Sequence, residues 1–116
     1  MKAQELGRTG EKLAQKYLRS HGYQVLETNA RTRFGEIDLV CRKGNTIVFV
    51  EVKARSSHRF GTPLDAVGVQ KQQRLRRLAE AYLVAHGWES AEVRFDVLSI
   101  MMSGPQPLFE HLPGAF

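Results

Sequence analysis

A chain of 116 residues, 42% hydrophobic and 25% charged, has the size and composition of one ordinary globular domain, not of a disordered, fibrous or disulfide-stapled protein. Folding a chain this long buries roughly two thirds of its unfolded surface, so a core needs no metal or cross-link. The single cysteine, Cys41, excludes an internal disulfide and favours a reducing compartment. Seventeen Lys and Arg against twelve Asp and Glu leave a net charge of +5, which makes polyanions the partners to weigh, nucleic acid first and anionic membrane second. Apolar runs such as Ile47 to Val50 are too short to span a bilayer. The opening, with Lys2, Glu5 and Arg8, lacks the apolar run of a signal peptide, so the expectation is a cytoplasmic protein with no membrane association.

In chain order, Leu6, Leu13, Ala14, Tyr17 and Leu18 recur at helical spacing from about Gly7 to Ser20, and His21-Gly22 supplies a stop. Tyr23 to Asn29 reads as a strand centred on Val25 and Leu26. Gly35 to Arg42 alternates, with Ile37, Leu39 and Cys41 on one face and Glu36, Asp38 and Val40 on the other. Lys43-Gly44-Asn45-Thr46 is a hairpin turn signal, after which Thr46 to Arg55 sets Ile47, Phe49, Glu51 and Lys53 against Val48, Val50, Val52 and Ala54. Thr62-Pro63-Leu64-Asp65 resembles a capped helix start. That helix should run to about Ala85, irregular at Gly68, with Leu75, Leu78, Ala79, Tyr82 and Leu83 inward and His86-Gly87 as its stop. Val93 to Met102 is a last strong strand. Residues 103–116 hold three of the four prolines but also Leu108, Phe109, Leu112 and Phe116, and are expected to pack back as a tail on a single 1–116 domain. The order α-β-β-β-α-β predicts an α/β fold with a mixed central sheet flanked by helices.

Chemistry concentrates on the hairpin. A two-residue loop at Gly44-Asn45 makes Lys43 face Thr46, so that Asp38 faces Glu51 and Glu36 faces Lys53. Opposed residues of an antiparallel pair share a side, with Cβ atoms about 4.5–5.5 Å apart. A four-residue loop keeps this arrangement, whereas an odd loop without a compensating bulge flips the faces. Two carboxylates side by side repel unless a positive charge lies between them. A divalent cation answers this with hard oxygen ligands, which suits Mg²⁺ or Mn²⁺. Neutralisation by Lys53, or solvation of both acids at the strand ends, answers it equally well.

Other residues bear on that choice. Glu11 shares the stripe of Ala14 and Leu18 and should point at the sheet, although an acid near a helix start also suits the dipole. Lys71 shares the stripe of Leu75, Leu78 and Tyr82, with Gln70 beside it, and snorkelling past the core edge explains it as readily as a site does. Lys53, Arg55, His58 and Arg59 leave the hairpin, Arg74, Arg76 and Arg77 follow on the helix, and Arg31, Arg33 and Arg42 flank the second strand. Singly these are solvated charges. Together they would ring the carboxylates with phosphate-binding groups. Cys41 reads as a small core residue, the histidines lack ligand spacing, and Asp96 is read as the partner of an arginine. No nucleotide-cradling glycine loop or nucleophile motif is present.

Asp38, a turn, then Glu51-Val52-Lys53 resembles the signature of the PD-(D/E)xK nuclease superfamily, with Ile37 where its proline would stand. More narrowly, the chain resembles the uncharacterised YraN-like family, described as similar to archaeal Holliday junction resolvases. The stretches that carry this are Gly7 to Ala14, Asn29-Ala30-Arg31, Gly35 to Val40, Phe49 to Lys53, Gln70-Lys71, Arg94 to Val97 and Ala115-Phe116. The resemblance implies a restriction-endonuclease-like core. It implies metal ligation by Asp38, Glu51 and the Val52 carbonyl, with Glu11 a further acid and Lys53 orienting or deprotonating the attacking water. Gln70, Lys71 and Glu36 would support the site, and Arg31, Arg33, Arg55, Arg59 and Arg74 would bind nucleic acid. The expected function is a Mg²⁺- or Mn²⁺-dependent deoxyribonuclease, structure-selective if the junction resemblance extends to substrate, and working as a homodimer because two cuts need two sites. The alternatives are a nucleic-acid-binding module without cleavage in a larger DNA-processing assembly, and an interaction protein whose acids and lysine form a satisfied cluster.

Overall fold

A computed structural model describes residues 3–56 and 67–116. Helix α1 (Ala3–Ser20) leads into strands β1 (Gln24–Thr32), β2 (Gly35–Lys43) and β3 (Thr46–Arg55). Helix α2 (Val69–His86) then precedes β4 (Glu92–Met101) and β5 (Leu108–Leu112). The five strands form one mixed sheet in the order β1-β2-β3-β4-β5, antiparallel except where β4 runs parallel to β3.

Each helix covers one face. Ala14 and Leu18 of α1 pack with Leu39, Cys41, Val48, Val50, Leu98 and Ile100. Leu75, Leu78, Ala79 and Tyr82 of α2 pack with Val40, Phe49, Phe95 and Val97. The alternation in β3 follows directly, its even residues toward α1 and its odd residues toward α2. At Gly10 an added Cβ would lie 2.5 Å from that of Ala54, so only glycine lets α1 approach β3 this closely. Both helices end as expected. Gly87, at φ 69°, donates to the Leu83 and Val84 carbonyls, and the Tyr23 N–H closes α1 onto the Leu18 carbonyl at 2.9 Å.

Gly68 is extended and stands as the N-cap residue of α2, and the Thr62-Pro63-Leu64-Asp65 start lies outside the described residues. Two expectations change. Ile37 joins the Val40 cluster instead of that of Leu39 and Cys41. The β2–β3 ladder ends at Leu39 opposite Val50, and past that point the backbone of β2 pairs with β1 alone. The chain after β4 is more than a tail, since Leu108–Leu112 pairs with β4 as the fifth strand of the sheet. Beyond it, Ala115 N–H donates to the Phe95 carbonyl at 2.8 Å and Phe116 stacks on the Phe95 ring. No helix among the described residues is long and apolar enough to cross a membrane.

Candidate active site

The turn is the two-residue one, with Lys43 paired to Thr46, and the parity it sets carries Asp38 and Glu51 to the same mouth of the hairpin. Because the ladder stops one pair short of them, the Val52 N–H donates to Asp38 Oδ2 at 2.9 Å. A strand residue turns its N–H and C=O toward the same neighbour, so the Val52 carbonyl faces the opening that Asp38 occupies. Glu51 is buried, and its Oε1 meets Lys71 Nζ at 2.5 Å and Lys53 Nζ at 3.6 Å. Asp38 and Glu51 line a cleft of about 340 Å³ with Phe34, Glu36, Lys71 and Arg74.

The electrostatics record the crowding. Burial, then the negative charge of Glu51, push Asp38 up to about 7, against the pull of the Val52 N–H, and Glu11 adds a smaller push. Burial and the neighbouring Lys71 lower the pKa of Lys53. Lys71 is also penalised by burial, but its hydrogen bonds to Glu51 and Lys53 outweigh this and raise it. Two acids and two lysines thus share one small space.

The remaining expected residues divide. Glu11 is half-buried and accepts from Asn29 Nδ2 at 3.2 Å, near enough for its charge to reach Asp38. Glu36 pairs with Arg31 at 3.5 Å, not with Lys53, because β1 continues beside β2 where β3 has left it. Gln70 is exposed on an adjoining cleft of about 520 Å³ shared with Lys71 and Arg74. Arg33 lies over the Phe34 ring. Arg55, expected on the nucleic-acid surface, is buried, because the end of β3 is covered where Arg55 pairs with Met101 and its carbonyl accepts from Met102 N–H. Arg59 and His58 lie outside the described residues. The sequence gives no sign that Asn29 is the partner of Glu11; its φ of 50° is a conformation that asparagine tolerates better than most residues.

Asp38, Glu51 and the Val52 carbonyl offer three hard oxygens, and Mg²⁺ commonly takes only one or two carboxylates with water and substrate oxygens completing its shell. The donor set fits such an ion, which would relieve the repulsion felt at Asp38. Among the described residues, no three His, Cys, Asp or Glu side chains gather into a metal-holding group. Glu11 is held by Asn29 at the edge of this cluster, with its charge felt at Asp38.

The family model described as "Uncharacterised protein family UPF0102" matches residues 10–100, which include α1 from Gly10 through nearly all of β4. The chain belongs to this family. A UPF0102 protein of Geobacter metallireducens is 50% identical over 111 residues, covering 96% of this chain and 91% of the relative. One from Dictyoglomus turgidum is 42% identical over 118 residues and spans both chains completely, at 100% of each. Another, from Chlorobium chlorochromatii, is 54% identical over 96 residues, 83% of this chain and 74% of the relative. The UPF0102 match takes in Glu11, Asp38, Glu51, Lys53 and Lys71.

Proposed function

We propose that the protein is a Mg²⁺- or Mn²⁺-dependent nuclease acting on DNA. The observation that carries this reading is the convergence of Asp38, Glu51, Lys53 and Lys71 at the open end of the hairpin, where Asp38, Glu51, Lys71 and Arg74 line one cleft and Lys53 pairs with Glu51 at 3.6 Å. Asp38 and Glu51, with the Val52 carbonyl, would hold the ion. When bound, the ion would supply Lewis-acid charge at the phosphodiester and make a nucleophile of water. Lys53 would orient that water and steady the negative charge developing on the phosphate. Lys71, paired with Glu51 in the free protein, and Arg74 would move onto phosphate oxygens as substrate enters. Two cuts in a branched junction would require two copies of the chain. The buried lone thiol of Cys41 fits a cytoplasmic setting.

Binding without cleavage is the second reading, and the ion pair of Lys71 with Glu51 favours it, since that pair already neutralises one ligand. The experiment that decides is cleavage of labelled linear duplex, single strand, flap and four-way junction with Mn²⁺, Mg²⁺ or EDTA. Cutting should need the metal and fall at least about 100-fold in Asp38→Asn and Lys53→Met. Intact DNA in every parent reaction, with binding unaffected by Asp38→Asn, would overturn the nuclease and leave the binding module.

A further inference from the structure

Phe34 stands at the tip of the β1–β2 turn, where the Thr32–Gly35 pair closes the hairpin and the Phe34 N–H donates to Thr32 Oγ1 at 3.0 Å. Core rings such as Phe49, Tyr82 and Phe95 pack against one another, but Phe34 is 44% exposed. It lines two clefts at once. One is the carboxylate cleft, and the other is a groove of about 480 Å³ with an apolar floor of Ala81, Val84 and Ala85. Arg33, Arg77 and one acid, Glu80, also line that groove, so its charge is net positive. The Arg33 guanidinium sits 4.7 Å from the Phe34 ring centroid.

An exposed ring fixed by its turn, an apolar floor and flanking guanidinium groups match one ligand chemistry, a flat heterocycle attached to a phosphate. We infer that this groove is a subsite for an unpaired nucleotide, its base stacked on Phe34 and its phosphate between Arg33 and Arg77. This rests on the nuclease reading and adds the substrate class, because a base inside a duplex has both faces stacked and cannot meet the ring. The strand entering the carboxylate cleft is then single-stranded or branched DNA, continuing past Phe34 into the groove.

The test is binding in EDTA, where cutting cannot interfere, to 2-aminopurine-labelled DNA as a single strand, a flap and a blunt duplex. The parent should prefer the first two and quench their fluorescence. Phe34→Leu, which keeps apolar bulk but no aromatic face, should weaken both by about tenfold and leave duplex binding unchanged. Phe34→Trp should retain affinity and quenching, and a thermal melt checks that both variants fold. Equal losses on all three substrates, or no loss on any, overturn the subsite. Duplex binding without preference for unpaired strands overturns the subsite alone, whereas absence of binding to all three, in EDTA and again with Ca²⁺ in its place, removes the nuclease reading with it.

Discussion

Asp38 on β2 and Asp96 on β4 are the same residue type in opposite circumstances. Asp96 is wholly buried, yet Arg94 donates to both of its oxygens at 2.8 Å, His111 meets it at 2.7 Å and the Gly114 N–H at 3.0 Å. Burial opposes its charge, but these hydrogen bonds prevail and hold its pKa below the ordinary range. Asp38 has one backbone donor and a second carboxylate, and it is driven up to about 7. A closed, satisfied cluster ties the chain terminus to the sheet, whereas an open one keeps an acid short of partners where a ligand can supply them. Burial alone does not separate these two carboxylates, and the count of donors does.

The largest expected effect breaks the satisfied side. Asp96→Ala leaves Arg94 and His111 facing an empty position and should cost about 3–5 kcal/mol in urea unfolding. The milder Asp96→Asn should lower Tm at pH 8.

The same Asp→Asn change at Asp38 should act in the other direction in EDTA. Its folded pKa, about 7, lies above the unfolded value, so the folded state binds the extra proton and is penalised as pH rises from about 4 through 7. Asp38→Asn should therefore raise Tm by about 5 °C at pH 8, and the gain should vanish near pH 4. The amide oxygen of asparagine can still accept from Val52. A fall in Tm at pH 8 would show that Asp38 is as satisfied as Asp96.

The hairpin behind this contrast was legible because the Gly44-Asn45 turn signal points to a two-residue loop, and the parity of that loop fixes which acids meet. Depth of cover was not. The same alternation that placed Glu51 could not show that Arg55 is covered where β3 pairs with β4, nor that Ile37 turns where the ladder ends. Lys71 fell on the inward stripe of α2, but only packing shows that it reaches Glu51 instead of solvent. Strand β5 was hidden by its five residues and by prolines at 105 and 107 just before it.

A smaller effect sharpens the open side. Gly10→Ala should push α1 off Ala54 and cost about 1–3 kcal/mol, shifting Glu11, the next residue, away from Asn29. Cleavage should then drop more than binding.

The most direct measurement is a calorimetric titration of Mn²⁺ into the parent and into Asp38→Asn, with Asp96→Asn as the control for a carboxylate elsewhere. One site per chain in the parent and in folded Asp96→Asn, weakened at least about tenfold in Asp38→Asn, is the predicted result. Equal Mn²⁺ affinity in the parent and Asp38→Asn would contradict it, because the open carboxylates would then hold no ion.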